Sequence, residues 1–134
     1  MIRPWAEGDS LSIEDFPWSA SECAESLRSP HVHAWLYAQD RPLGAVLTQV
    51  VVDQADLLTI GVAPRARRNG VAGDLLLEVE RFWQEQGVVR AHLEVRATNV
   101  GAIALYEGRG WVRTRTRATY YKDGTDAWLM EWSQ

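Results

Sequence analysis

The chain has 134 residues, 46% hydrophobic and 24% charged, with a formal net charge of −4, which suits a single domain over 1–134 and excludes bulk attraction to nucleic acid. Cys23 is the only cysteine, so an internal disulfide and a cysteine-based metal cluster are excluded. No apolar run approaches a membrane span, and Met1-Ile2-Arg3-Pro4-Trp5 does not read as a signal peptide, so a reducing, cytoplasmic setting is expected.

Ile2-Arg3-Pro4 reads as a short first strand. Asp9 or Ser10 is placed to cap a very short helix through Leu11 and Ile13. Phe16-Pro17-Trp18-Ser19 follows, where Pro17 breaks the helix. These rings either wall a groove or plug the core edge. Ser19 with Glu22 three residues on is a capping box, which opens a helix from Ala20 to Arg28. His31 and His33 alternate as at a strand end. A metal pair there would lack a third ligand. Trp35 to Ala38, a turn at Gln39-Asp40-Arg41-Pro42, and Leu43 to Val52 read as a hairpin. Asp53-Gln54-Ala55-Asp56 is the next turn.

A strand then carries Leu57, Leu58, Ile60 and Val62, and it breaks at Pro64. After Gly70, apolar residues recur at Val71, Leu75, Leu76, Val79, Phe82 and Trp83, the stripe of a half-buried helix. In the turn between, Gly70 can take backbone angles barred to other residues, and Ala72 and Gly73 are small. The free N–H groups of the first helical turn face open space, made positive by the helix dipole and by Arg65, Arg67 and Arg68. Such a place suits a pyrophosphate. The spacing Arg67-x-x-Gly70-x-Ala72 is neither the dinucleotide fingerprint nor the P-loop.

Gly87 marks the end of that helix. Val89, Ala91, Leu93 and Val95 alternate with Arg90, His92, Glu94 and Arg96, giving a strand with one apolar and one polar face. Asn99 or Thr98 caps a helix through Ala102, Ile103, Leu105 and Tyr106, with Asn99 and Tyr106 on one face. Trp111 to Tyr121 is a long strand, Lys122-Asp123-Gly124-Thr125 a turn, and Ala127 to Trp132 the last strand. Arg113, Arg115 and Arg117 fall at period two. They make either a solvated sheet face or a contact for an acidic partner. The middle strand–helix–strand unit wants a parallel crossover, flanked by antiparallel hairpins.

The turn before the central helix looks like the acyl-CoA pyrophosphate loop of the GNAT superfamily of N-acetyltransferases. The run Leu93 to Glu107, LEVRATNVGAIALYE, closely resembles the run L-E-V-R-A-S-N-x-x-A-I-A-L-Y-E of the RimI group. Those enzymes acetylate an N-terminal alanine of a small-subunit ribosomal protein. The likeness reaches back over Phe16-Pro17-Trp18-Ser19 and Leu47-Thr48-Gln49-Val50, and forward to Tyr120-Tyr121 and Asp123-Gly124. It implies an α/β (α+β mixed) GNAT fold: a mixed, mostly antiparallel sheet of about seven strands with four helices.

The resemblance also implies a site. Ile60, Gly61 and Val62 should lie along the pantetheine arm of acetyl-CoA. The backbone of Arg68, Asn69, Gly70, Val71, Ala72 and Gly73 should hold its pyrophosphate, and Asn99 should contact it from the next helix. Ala72 stands where a second glycine is usual, a replacement the superfamily accepts. Glu94 should be the general base and Tyr106 the general acid. Phe16, Trp18, Tyr120 and Tyr121 should wall the groove for a protein N-terminus, that of a small-subunit ribosomal protein. No metal, nucleic acid or membrane is implied, and the chain should be a monomer or weak dimer. One departure is plain: between Ile2 and Phe16 this chain is about two helical turns shorter than its relatives (about 1.5 Å per residue).

The chemistry is coherent on its own. An N-terminal ammonium, with a pKa of about 7.7–8.0, must lose a proton before attacking a thioester, and a carboxylate can take it. Backbone N–H groups near Val62 can polarise the carbonyl, and a phenol can protonate the departing thiolate. An acidic chain suits a basic peptide tail. Two alternatives share the scaffold: acetylation of a small amine, and an acetyl-CoA-binding regulatory domain without transfer. The last has no use for both Glu94 and Tyr106.

Overall fold

Alternating apolar residues build a seven-stranded sheet in the computed structural model, which describes residues Met1–Gln134. The strands are β1 (Ile2–Pro4), β2 (Val32–Ala38), β3 (Pro42–Val51), β4 (Gln54–Val62), β5 (Arg90–Arg96), β6 (Val112–Arg117) and β7 (Ala127–Ser133). Their spatial order is β1-β2-β3-β4-β5-β7-β6. Only β4 and β5 are parallel, because a long helix connects them while the other neighbours pair antiparallel. That helix is α2 (Val71–Glu85); α1 is Ala20–Ser26 and α3 is Val100–Gly108. This is the mixed, mostly antiparallel architecture expected, with three α-helices and a single 3₁₀ turn at Pro64–Ala66.

The missing fourth helix is the one expected near Leu11. Asp9 caps backwards instead of forwards: it accepts from the Ala6 N–H at 2.7 Å and clasps the Arg3 guanidinium at 2.7 and 2.9 Å. The Arg3 hydrogen bond, then that of Ala6, holds its carboxyl at about 2. Leu11 and Ile13 are buried in a non-helical segment. The segment before α1 is thus short and irregular.

Smaller differences have local causes. Helix α1 opens on the expected capping box, Ser19 accepting from the Glu22 N–H and Glu22 from that of Ser19, but stops at Ser26. The β3–β4 turn is tighter than Asp53–Asp56; Val52 takes a φ of 58° and pairing resumes at Gln54. Strand β6 ends at Arg117. Past it, Thr119 turns with a φ of 49° and donates its N–H to Asp126.

The sheet has two differently covered faces. On one lie α2 and α3. Trp83 of α2 is fully buried and donates to the Thr48 hydroxyl at 2.9 Å. Its ring meets Trp132 at 5.3 Å and Trp111 at 5.8 Å, and Trp111 meets Tyr106 of α3. Four of the aromatic rings therefore tie both helices to β7. His33 is a packing ring here, 4.8 Å from Phe82. On the opposite face, the Phe16-Pro17 turn lies against β4, and Cys23 of α1 is buried in the same continuous core. No helix is long and apolar enough to cross a membrane.

One carboxylate is buried in this core. Glu80 of α2 accepts from Arg109 at 2.6 Å and from the Trp111 indole at 3.2 Å, fixing the C-terminal end of α3 to α2. Removing one partner of a buried pair strands the other. Glu80→Ala should cost about 3 kcal/mol, the low end for a buried pair, since Arg109 reaches solvent. Glu80→Gln keeps an acceptor for Trp111 and should cost about 1 kcal/mol. Urea unfolding followed by tryptophan fluorescence checks both values.

Candidate active site

The site begins where the sheet fails to close. Strands β4 and β5 pair only over Gln54–Asp56 and Arg90–His92. Just beyond, a bulge at Leu58 interrupts the β3–β4 register, so that Thr48 opposes Leu57 while Leu47 opposes Thr59. A bulge bends its strand and adds twist. From there β4 follows β3 and β5 follows β7, and the two part. The gap is a cleft of about 1580 Å³, lined by Leu57 to Val62 on one side and His92 to Arg96 on the other. It is lined from both faces of the sheet, by the α2 loop and α3 on one and by Trp18 and Tyr121 on the other.

The start of α2 faces this cleft. Gly70 is its N-cap with a φ of 74°, a left-handed conformation that favours glycine. No side chain caps the helix, so the first-turn N–H groups of Val71, Ala72 and Gly73 are left for a ligand. Arg68, with a φ of 66°, adds a second left-handed residue. The three arginines divide. Arg65 pairs with Asp40 at 3.0 Å. Arg67 donates to the Val62 carbonyl at 2.9 Å and ties the loop to β4. Arg68 makes no ion pair and lines the cleft, while Asn69 lies outside its wall. Gly73 sits close under α3, with the Leu105 side chain 3.8 Å from where a Cβ would be. An uncapped helix start with one free guanidinium is chemically a diphosphate cradle.

Glu94 and Tyr106 both line the cleft, but from opposite faces. Glu94 lies across from Leu129 of β7 and is exposed on the face away from α2. Tyr106 projects from α3 on the other face. Its ring is buried, and burial pushes its hydroxyl up to about 12. Asn99, also in the wall, spends its side-chain oxygen as the N-cap of α3, accepting from the Ala102 N–H at 3.2 Å. Its amide NH₂ is the part left to meet a ligand.

The aromatic wall is only partly as expected. Trp18 and Pro17 line the cleft, as do Tyr120 and Tyr121. Phe16 does not, because it lies on the Gly61 backbone: a Cβ on Gly61 would sit 2.8 Å from Phe16 and 2.7 Å from Pro17. Burial and the nearby Glu94 charge raise the Tyr121 hydroxyl. Arg96 was not singled out in the sequence. Its guanidinium lies 4.0 Å from the Tyr121 ring centroid and pairs with Asp123 at 3.0 Å, bracing the β6–β7 turn. Hydrogen bonds from Thr125, helped by Arg96, hold Asp123 below the usual carboxylate range. Its place two residues after Glu94, on the same strand face, was the available signal.

Residues 2–111 match the model of the acetyltransferase (GNAT) family, and the chain belongs to that family. It is 39% identical over 106 residues to the [ribosomal protein bS18]-alanine N-acetyltransferase of Salmonella typhimurium, covering 79% of this chain and 72% of that one. It is 33% identical over 129 residues to the N-alpha-acetyltransferase RimI of Mycobacterium tuberculosis, covering 90% and 78%. The crystal structure of the ribosomal-protein-S18-alanine N-acetyltransferase from Escherichia coli superposes with a TM-score of 0.84 at 31% identity, over 99% of this chain and 92% of that one. The chain is a GNAT-fold, acetyl-CoA-dependent N-acetyltransferase of the RimI type.

If the cradle works through its backbone, its shape matters more than its charge. Gly70→Val places a β-branched residue at positive φ and should raise the acetyl-CoA Kd at least tenfold. Arg65→Ala, whose guanidinium is engaged by Asp40, should change it less than twofold. Isothermal titration with acetyl-CoA separates the two, and equal effects would leave a simple charge patch.

Proposed function

We propose that this N-acetyltransferase moves the acetyl group of acetyl-CoA to the α-amine of a protein N-terminus, with a small-subunit ribosomal protein as the target. One observation carries the reading: the cleft crosses the sheet, with a phenol on the helix side and a carboxylate on the other. The helix side receives the cofactor. Its diphosphate rests on the N–H groups from Val71 to Gly73, with Arg68 and the Asn69–Gly70 turn beside it. The pantetheine runs along Ile60, Gly61 and Val62, with Asn99 opposite. The acceptor arrives from the far side, between Trp18 and the Tyr120–Tyr121 turn.

Glu94, directly or through a water, takes the proton of the acceptor ammonium. The freed amine attacks the thioester carbonyl through the gap, and backbone N–H groups of the splayed β4 around Val62 stabilise the oxyanion. Tyr106 faces the departing sulfur. A hydroxyl held at about 12 keeps its proton at every physiological pH. A phenol so raised is a weaker acid than a thiol of ordinary pKa, about 8.5, so full transfer to the departing thiolate is uphill. Tyr106 therefore acts through a hydrogen bond that strengthens as charge builds on sulfur; as the C–S bond breaks, the attacking nitrogen gives its second proton to solvent, and solvent protonates the departing thiolate. The chain works as one domain over 1–134, as a monomer or weak dimer in the cytoplasm.

The division of labour is testable by initial rates and mass spectrometry. Glu94→Gln should lower kcat/KM by about 10²-fold and move the rising limb of the pH profile upward, as hydroxide replaces the carboxylate. Tyr106→Phe should lower kcat about 10²-fold and leave acetyl-CoA affinity unchanged, since the ring still packs. Because burial raises the Tyr106 pKa, the wild type should show no falling limb below pH 10 from this group. Losses confined to the acceptor KM would mean that both residues only position substrate. The acetyl group should be found on the N-terminal nitrogen; acetylation of lysine side chains or small amines alone would refute the reading.

A further inference from the structure

Beside Glu94 on β5 stands a histidine without a structural partner. His92 lies two residues back, on the same face of the sheet and about 6.6 Å away along the strand. It is half-buried and lines the same cleft as Glu94. Unlike His33, which packs on Phe82, its imidazole has no hydrogen bond, ion pair or ring contact. Residues paired in register share a face, and His92 opposes Asp56 of β4 and Glu131 of β7. The Asp56–His92 pair is the last one before the β4–β5 seam opens. Thr48, which accepts from the buried Trp83 indole, donates to the Asp56 carbonyl at 2.8 Å and fixes that position from the core.

Two carboxylates flank this imidazole without a counter-ion of their own. Glu131 is not one of them, because Arg90 engages it at 2.6 Å. Asp15, from the loop ahead of α1, lies 4.0 Å from Arg67. Arg96, on the far side of Glu94, is paired with Asp123. Tyr121 stands near Glu94, whose charge adds to burial in raising its hydroxyl. Asp56 and Glu94 form no ion pair. The imidazole thus sits between a free carboxylate at the reacting end and an exposed one on the neighbouring strand.

We propose that His92 receives the proton that Glu94 takes from the acceptor ammonium, with Asp56 holding the imidazolium that forms. In water a carboxylate is a far weaker base than an α-amine, so a proton left on it returns readily. An imidazole lies between the two, about 2 units above a carboxylate. An N–H bond of the ammonium breaks, its electron pair stays on nitrogen as the nucleophile, and the proton forms an O–H bond on Glu94. That bond breaks in turn as the proton passes to His92, directly or through one bridging water. The imidazolium then gives it to solvent beside Asp56. An acceptor seated over Glu94 shuts the carboxylate off from bulk water, and the path behind it then matters most. His92 acts through Glu94 and does not touch the reacting atoms, and its role rests on the α-amine reading above.

The test is the pH–rate profile of full-length variants with one short peptide as acceptor, folding being checked by circular dichroism. His92→Gln should lower kcat/KM by about tenfold near neutral pH, less than Glu94→Gln, because Glu94 can still pass its proton to water. The deficit should shrink above about pH 9, where the amine arrives unprotonated, and acetyl-CoA affinity should not change. Asp56→Asn should give a smaller loss with the same pH dependence. His92→Ala should regain rate with added imidazole, and more with the more basic 4-methylimidazole, as proton transfer to a base requires. A loss uniform across pH, no rescue by either imidazole, or full activity in His92→Phe, which keeps a ring but no base, would overturn the proposal. A clear Glu94→Gln deficit beside unimpaired His92 variants would sink this inference alone. Acetylation of small amines or lysine side chains only would remove the α-amine reading and this one with it.

Discussion

The structure depends on an interaction that stops short. Three residue pairs join β4 to β5, and then the hydrogen bonding ends. A parallel pair that continued would seal the middle of the sheet, and the backbone groups of both strands would satisfy one another. Because it stops, the inner edges of Leu57–Val62 and Leu93–Arg96 need other partners. A pantetheine arm, itself an amide chain, is chemically such a partner. The bulge at Leu58 matters for the same reason: it bends β4 away just where pairing would otherwise resume.

An open seam in a sheet is a weakness, and the surrounding parts hold it in place. On one face, Arg67 hydrogen-bonds the Val62 carbonyl, which anchors the end of β4 to the loop ahead of α2. On the other, Phe16 and Pro17 press on Gly61 so closely that no Cβ fits. On the β5 side, Arg96 clasps Asp123 and stacks on Tyr121. The seam therefore has a rigid frame, which keeps Glu94 and Tyr106 facing one gap from opposite sides.

The helix start, the capping box and the polar face of β5 were legible in the sequence because each rests on local chemistry. Gly70 with small residues after it marks an uncapped helix start, Ser19 with Glu22 marks α1, and period two places Glu94. What was not legible arises from register and competition. Nothing in Thr114 announces a bulge, yet it alone sends Arg113 to the face opposite Arg115 and Arg117. Asp9 looked like a forward cap, but Arg3 and the Ala6 N–H compete for the same carboxylate and win. Phe16 had two readings as an aromatic in a Pro-containing turn. Only the close approach to Gly61 shows that it braces the strand and leaves the groove to Trp18.

The charge on the whole chain and the charge met by a substrate answer different questions. A net charge of −4 spread over 134 residues acts at long range, where ions screen it within about 8 Å at physiological salt. It bears on solubility and on the first encounter with a partner. An acceptor already in the cleft sees the charged groups of its wall, with Asp15, Asp56 and Glu94 set against Arg67, Arg68, Arg96 and Arg117. Short-range geometry then outweighs the global sign. The register shift in β6 turns Arg113 over the Trp128 ring on the helix face and leaves Arg117 on the face of the cleft. A single extra residue in an edge strand thus sets both how the sheet is sealed on one face and what charge the site presents on the other.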